Sequence, residues 1–134
     1  MTNPASAPPR VPQDLPRCRR IARRRDFTDA YEKGRKVFAK YSVVFAIPNA
    51  RGYARLGVTT TRKLGNAVER NRMKRWVREV FRRDRGALSL DDRAVDLVVN
   101  VKRSALDARW DEFRRDLGRA LERAASARLP EGRA

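Results

Sequence analysis

Arg62-Lys63-Leu64-Gly65-Asn66-Ala67-Val68-Glu69-Arg70-Asn71-Arg72-Met73-Lys74-Arg75-Trp76-Val77-Arg78-Glu79-Val80-Phe81-Arg82-Arg83-Asp84-Arg85 holds ten basic and three acidic residues. Asn66 followed by Glu69 has the spacing of a capping box, so the stretch predicts a helix over residues 67 to about 83, stopped by Gly86. On a helical wheel Met73, Trp76, Val77, Val80 and Phe81 fall within an arc of about 140°, the width a helix needs to pack on a sheet. Arg70, Asn71, Lys74, Arg75 and Arg78 occupy the adjacent arc. This exposed strip holds four cations and an amide, and the cations repel one another unless a polyanion neutralises them. Arg62 and Lys63 lengthen the strip, and Gly65 brings the backbone close to the free amides of the first turn, which also favour an anion.

Outward from this helix the pattern changes. Residues 95 to 101 read as a short buried strand, and residues 107 to about 127 as a second long helix with the apolar stripe Trp110, Phe113, Leu117, Ala120, Leu121 and Ala124. Upstream, residues 26 to 33 form a short helix, with Asp26 as its cap, Gly34 as its stop, and Phe27, Ala30 and Tyr31 on one face. From 36 to 47 the period is two, with Tyr41, Val43, Phe45 and Ile47 on one side and Lys40, Ser42, Val44 and Ala46 on the other. A further short strand fits around 37 to 39. Pro48, Asn49 and Gly52 mark a turn into a strand over 53 to 61, expected antiparallel to the first. The order α, β, β, α, β, α gives an α+β fold, a two-layer sandwich of one mainly antiparallel sheet packed by helices.

With 134 residues and 41% hydrophobic content, the chain suits one modest domain. Residues 1–18 are expected to be a disordered Pro- and Arg-rich tail, 19–127 a single domain, and 128–134 a flexible end. The formal charge of +17 is lopsided, since residues 1 to 85 carry 23 basic and 7 acidic side chains. Arg17, Arg19, Arg20, Arg23, Arg24 and Arg25 form a basic arm that suits nucleic acid. The sequence has one cysteine and no histidine, which rules out internal disulfides, Cys/His zinc sites and His-based catalysis. No apolar run approaches the ~20 residues of a membrane span, and the polar N-terminus lacks the apolar core of a secretory signal, so a cytoplasmic location is expected. Single-stranded nucleic acid also asks for aromatic platforms. Phe27, Tyr31, Val43 and Phe45 are candidates for such a groove, although aromatic residues at such spacing are more often simply core.

The run from Lys63 to Arg75, with Arg78 and Glu79, closely resembles the signature of the bacterial ribonuclease P protein subunit. The resemblance extends upstream over Arg24-Arg25-Asp26-Phe27, Tyr31, Gly34-Arg35 and Val37, and downstream over the 95–101 strand and the Trp110 and Phe113 helix. It implies an α+β sandwich with a left-handed β-α-β crossover, against the usual right-handed rule. It further implies a protein bound to a large catalytic RNA that removes 5′ leaders from precursor tRNA, using Mg²⁺ held mainly by the RNA subunit and the substrate. No catalytic or metal-ligating residue of the protein is then expected, and neither a protein partner nor a membrane is required. By position, Arg62, Lys63, Arg70, Asn71, Lys74, Arg75 and Arg78 would face the catalytic RNA, and Phe27, Tyr31, Val43 and Phe45 the leader. Ser42 departs from the family's larger apolar residue and is expected to alter the cleft floor. The rival readings are a ribosomal-type or RNA-chaperone binding protein without cleavage, and a protein-only nuclease, which needs a carboxylate cluster such as the adjacent acids Asp91 and Asp92 could begin.

Overall fold

The computed structural model describes residues 19–84 and 93–126. The expectations placed on residues 1–18, 128–134, Gly86, Asp91 and Asp92 lie outside the described residues.

Helix α1 (Arg24–Lys33) is followed by strands β1 (Arg35–Phe38), β2 (Ser42–Pro48) and β3 (Arg55–Thr59), then helix α2 (Ala67–Asp84), strand β4 (Val95–Val101), a 3-10 turn (Arg103–Asp107) and helix α3 (Trp110–Ser126). The sheet order is β1-β2-β4-β3, antiparallel at β1–β2 and β2–β4 and parallel at β3–β4. The 53–61 strand thus runs opposite to β2 without touching it, because β4 lies between them. The crossover from β3 through α2 to β4 is the β-α-β unit that the family resemblance implies.

The alternation over 36 to 47 resolves into a hairpin, and Arg35–Phe38 is the further short strand. Tyr41 sits before β2 and joins the core shared with α2 and α3, on the opposite side of the sheet from Val43. Its amide donates to Asp116 Oδ2 at 3.1 Å and its hydroxyl to Glu112 Oε2 at 3.0 Å. This anchorage on α3 overrides the period-two reading. The second long helix likewise starts later than expected, since the 3-10 turn takes up residues 103 to 107 before the chain re-enters helix at Trp110.

Leu56, Leu97, Val99, Val101, Val44 and Ala46 face α2 and α3, whose apolar stripes close the main core. Every residue of the α2 stripe is buried, with Met73, Val77, Val80 and Phe81 fully so. Trp76 packs edge-on to Trp110 and Phe113, with ring centroids 5.5 and 5.4 Å apart. At its far end α2 is clamped to α3 by a two-point ion pair from Arg114 to Asp84 (2.6 and 3.0 Å). The other sheet face carries a smaller cluster of Ile21, Ala30, Phe45, Ile47 and Val98, partly roofed by α1.

Candidate nucleic-acid interface

The start of α2 is built as the sequence predicts. Glu69 N–H donates to Asn66 Oδ1 (2.8 Å), and Asn66 N–H donates to Glu69 Oε1 (3.0 Å). This reciprocal cap satisfies two otherwise free donors and fixes where the helix begins. Trp76 and its neighbours then lock the helix rotation against the core, which decides which side faces solvent.

That side is the predicted strip. Arg62, Lys63, Asn71 and Arg75 are exposed, and Arg70, Lys74 and Arg78 half-buried. None of the seven side chains bonds another described residue. The acidic residues of the helix are engaged elsewhere: Glu69 in the cap, Glu79 with Arg82 (3.0 Å) and Arg83 (2.8 Å), and Asp84 with Arg114 on α3 (2.6 Å). Burial pushes the Glu79 carboxyl up, but the hydrogen bonds from Arg82 and Arg83 outweigh it and hold the group below the usual carboxylate range. Among the described residues, therefore, no acid is bonded to the strip's cations. Arg72 points away from it, with its guanidinium carbon 5.7 Å from the Trp76 ring centre and Nη2 donating to Leu106 O at 3.1 Å.

The second set of predicted residues comes together across the sheet from α2. Phe27 is half-buried, Tyr31 37% exposed, Val43 half-buried and Phe45 buried. Tyr31 and Phe45 meet edge to face at 4.8 Å, and the Tyr31 hydroxyl pairs with Thr59 Oγ1 on β3. Gly57 is required beneath Phe27, because a Cβ there would lie 2.7 Å from the ring. Phe27, Val43 and Phe45 thus pack in the smaller cluster between α1 and the sheet, with Tyr31 against Phe45, and this α1–sheet face is the candidate cleft. Ser42 has no part in it: paired with Val101, it is buried on the opposite face toward the main core.

Other features of the cleft are not apparent from periodicity. Arg55 lies 5% exposed beneath α1, with Nε 2.9 Å from Asp96 Oδ1 and Nη2 2.6 Å from Asp96 Oδ2 and 3.3 Å from Asp26 Oδ2. Asp26 is therefore inside α1 rather than its cap, and it ties the helix to β3 and β4. The hydrogen bond to Asp96 leads the effects that raise the Arg55 pKa, outweighing the opposing pull of burial. A single acid in the mostly apolar 95–101 strand was the available signal. Lys36 and the 67% exposed Phe38 also lie on the cleft face, with Lys36 Nζ 5.4 Å from the Phe45 ring centre and 5.9 Å from that of Phe38.

Arm and helix share one space. Ile21 N–H donates to Leu56 O at 2.8 Å, laying residues 20 and 21 along the free edge of β3. A cavity of about 340 Å³ follows, with Arg20, Phe27, Gly57 and Arg78 in its walls. The cationic strip and the aromatic cleft therefore meet at this edge of the sheet. Among the described residues no three His, Cys, Asp or Glu side chains gather as a metal cage, and Asp26 and Asp96 are bonded to Arg55. These carboxylates do not fit a Mg²⁺ site.

The family model for Ribonuclease P matches residues 15–125. The chain belongs to the ribonuclease P protein family. Among ribonuclease P protein components, that of Thermotoga maritima is 38% identical over 103 residues, covering 77% of this chain and 82% of its relative. That of Desulfovibrio desulfuricans is 41% identical over 102 residues, covering 75% and 76%. Among solved structures, the T. maritima ribonuclease P protein matches with a TM-score of 0.70 at 34% identity, covering 78% of this chain and 96% of that one. The Staphylococcus aureus protein matches with 0.70 at 33%, covering 79% and 94%. The ribonuclease P match includes both the cationic strip and the cleft. No helix among the described residues is long and apolar enough to cross a membrane.

Proposed function

We propose that this chain is the protein subunit of ribonuclease P, which binds the catalytic RNA through the α2 strip and holds the single-stranded 5′ leader of precursor tRNA in the α1–sheet cleft. The observation that carries the reading is the strip itself: in a member of this family, a rigid helix presents Arg70, Lys74, Arg75 and Arg78 with no bond to another described residue. Phosphate is the anion that such a row suits, since spaced guanidinium groups can follow a backbone and bond its oxygens in pairs.

The protein's own residues bind and position. The strip offsets phosphate repulsion where RNA strands converge, and the junction of strip and cleft lets one strand pass from the catalytic RNA to the leader site. Hydrolysis belongs to the RNA, with Mg²⁺ held there and by the substrate to activate water and offset developing charge. With these partners the protein's place is the cytoplasm.

The test is to mix the protein with ribonuclease P RNA and precursor tRNA at low Mg²⁺, where fixed cations matter most, and to follow release of the leader. Faster cleavage than by RNA alone is expected. No gain would refute the proposal, and cleavage by protein alone would return catalysis to the protein.

A further inference from the structure

Strand pairing lines up a row across the cleft face of the sheet. Phe38 on β1 pairs with Val43 on β2, Val43 with Asn100 on β4, and Asn100 with Thr59 on β3. Paired residues share a face, so all four side chains point to the side that α1 only partly roofs. At one end Phe38 stands 67% exposed, a large apolar ring with no place in either core cluster. At the other, the Thr59 hydroxyl is already paired with Tyr31. Asn100 lies between, half-buried, and its side-chain amide bonds no other described residue. On β4 it follows Val98 and Val99, both fully buried, where a further apolar residue would serve packing alone.

We propose that Asn100 is the base-reading residue of the cleft, and that Phe38 is the stacking wall that presents a leader nucleobase to it. This rests on the function proposed above. Neighbouring strands are about 4.8 Å apart, so Phe38 and Asn100 flank Val43 by one spacing each. A base resting on Val43 can lay its face against Phe38 and turn an edge toward the amide. Lys36, beside both rings, is placed to meet the accompanying phosphate. An unroofed Asn100 keeps its hydrogen bonds with water. Once a base covers it, the amide must find a matching donor and acceptor or go unpaired, and an unpaired buried amide is what rejects the wrong base. Stacking on Phe38, by contrast, is tolerant of sequence because every base has a π face.

The test uses the reconstituted ribonucleoprotein and precursor tRNAs in which each leader position in turn carries each of the four bases, with RNA alone as the reference. Over that reference, the native protein is expected to add a base preference of about tenfold in kcat/KM at one position. Asn100→Leu should shrink it to within about twofold. Asn100→Asp, which keeps the shape but loses both donors, should reorder the preferred bases. Phe38→Ala should weaken all four leaders alike and leave their order intact. If the native preference and order survive both Asn100 substitutions, or if Phe38→Ala binds every leader as the native protein does, this inference falls while the proposed function stands. If the native protein gives no stimulation at all, both fall.

Discussion

Removing three cations from the α2 strip should change how RNA binding responds to salt far more than it changes folding. Arg62, Lys63, Arg70, Lys74, Arg75 and Arg78 have no bond to another described residue, and each can neutralise one phosphate. Six such contacts give a slope of log affinity against log salt of about −4 to −5.5, taking roughly 0.7 per phosphate on single strands and 0.9 on duplex. Raising monovalent salt from about 50 to 200 mM then weakens binding by about 300- to 2,000-fold. Replacing Arg70, Lys74 and Arg75 together by Ala should make the slope shallower by about 2 to 3. Folding should tolerate the triple change, because exposed or half-buried cations without partners cost at most about 0.5 kcal/mol each. The assay is filter binding or fluorescence anisotropy with ribonuclease P RNA across a salt series at fixed Mg²⁺, beside urea unfolding of the free protein. An unchanged slope with unchanged stability would show that the strip does not touch the RNA. A large loss of stability would show that the face has been misassigned.

Three further outcomes follow from the packing. Arg55→Leu takes the countercharge from the Asp96 carboxylate, which is 0% exposed and keeps the neutral Asn49 Nδ2 as a donor (2.7 Å), and breaking a buried pair in this way costs about 3–5 kcal/mol in urea unfolding; a loss below about 1 kcal/mol would mean that water reaches Asp96. Gly57→Ala puts a Cβ 2.7 Å from Phe27 Cε1 and 3.2 Å from Ile21 Cβ, so it should cost about 1–3 kcal/mol and weaken leader-bearing precursor tRNA more than the leaderless form; equal binding of both would detach Phe27 from the leader. Glu79→Gln removes a carboxylate whose pKa is lowered in the fold, so the native protein's advantage should be full above about pH 4.5, the ordinary range, and fade as pH falls through the folded value; a gap that persists at acid pH, read from urea midpoints, would rule out charge as its origin.

The α2 strip was legible because its information is local. Capping, helical period and core stripe all lie within one run of sequence, and residues 70 to 78 keep their relative directions wherever the helix docks. The sheet order was not legible, because a period of two says which residues share a face without naming the neighbouring strand. β4 therefore enters between β2 and β3 without any mark in β2 or β3 themselves. Tyr41 and Ser42 show the related difficulty at a strand's start, where the hairpin and the hydrogen bonds to Asp116 and Glu112 fix the side. Arg55 and Asp96 become meaningful only together, and they are 41 residues apart.

Along β4, Asp96, Val98 and Asn100 all point to the same face of the sheet. Sequence pattern treats the two polar residues alike, as interruptions of an apolar strand. Asp96 lies under the first turn of α1, where Arg55 and Asp26 surround it, and its charge is spent inside the fold. Asn100 lies near the other end of the helix, level with the bond between Tyr31 and Thr59, and remains half open. The length of α1 thus divides a structural polar group from one left for a ligand. Extending the roof over Asn100 would turn it into a second buried group needing an internal partner, so a short first helix is a condition for base recognition at this position.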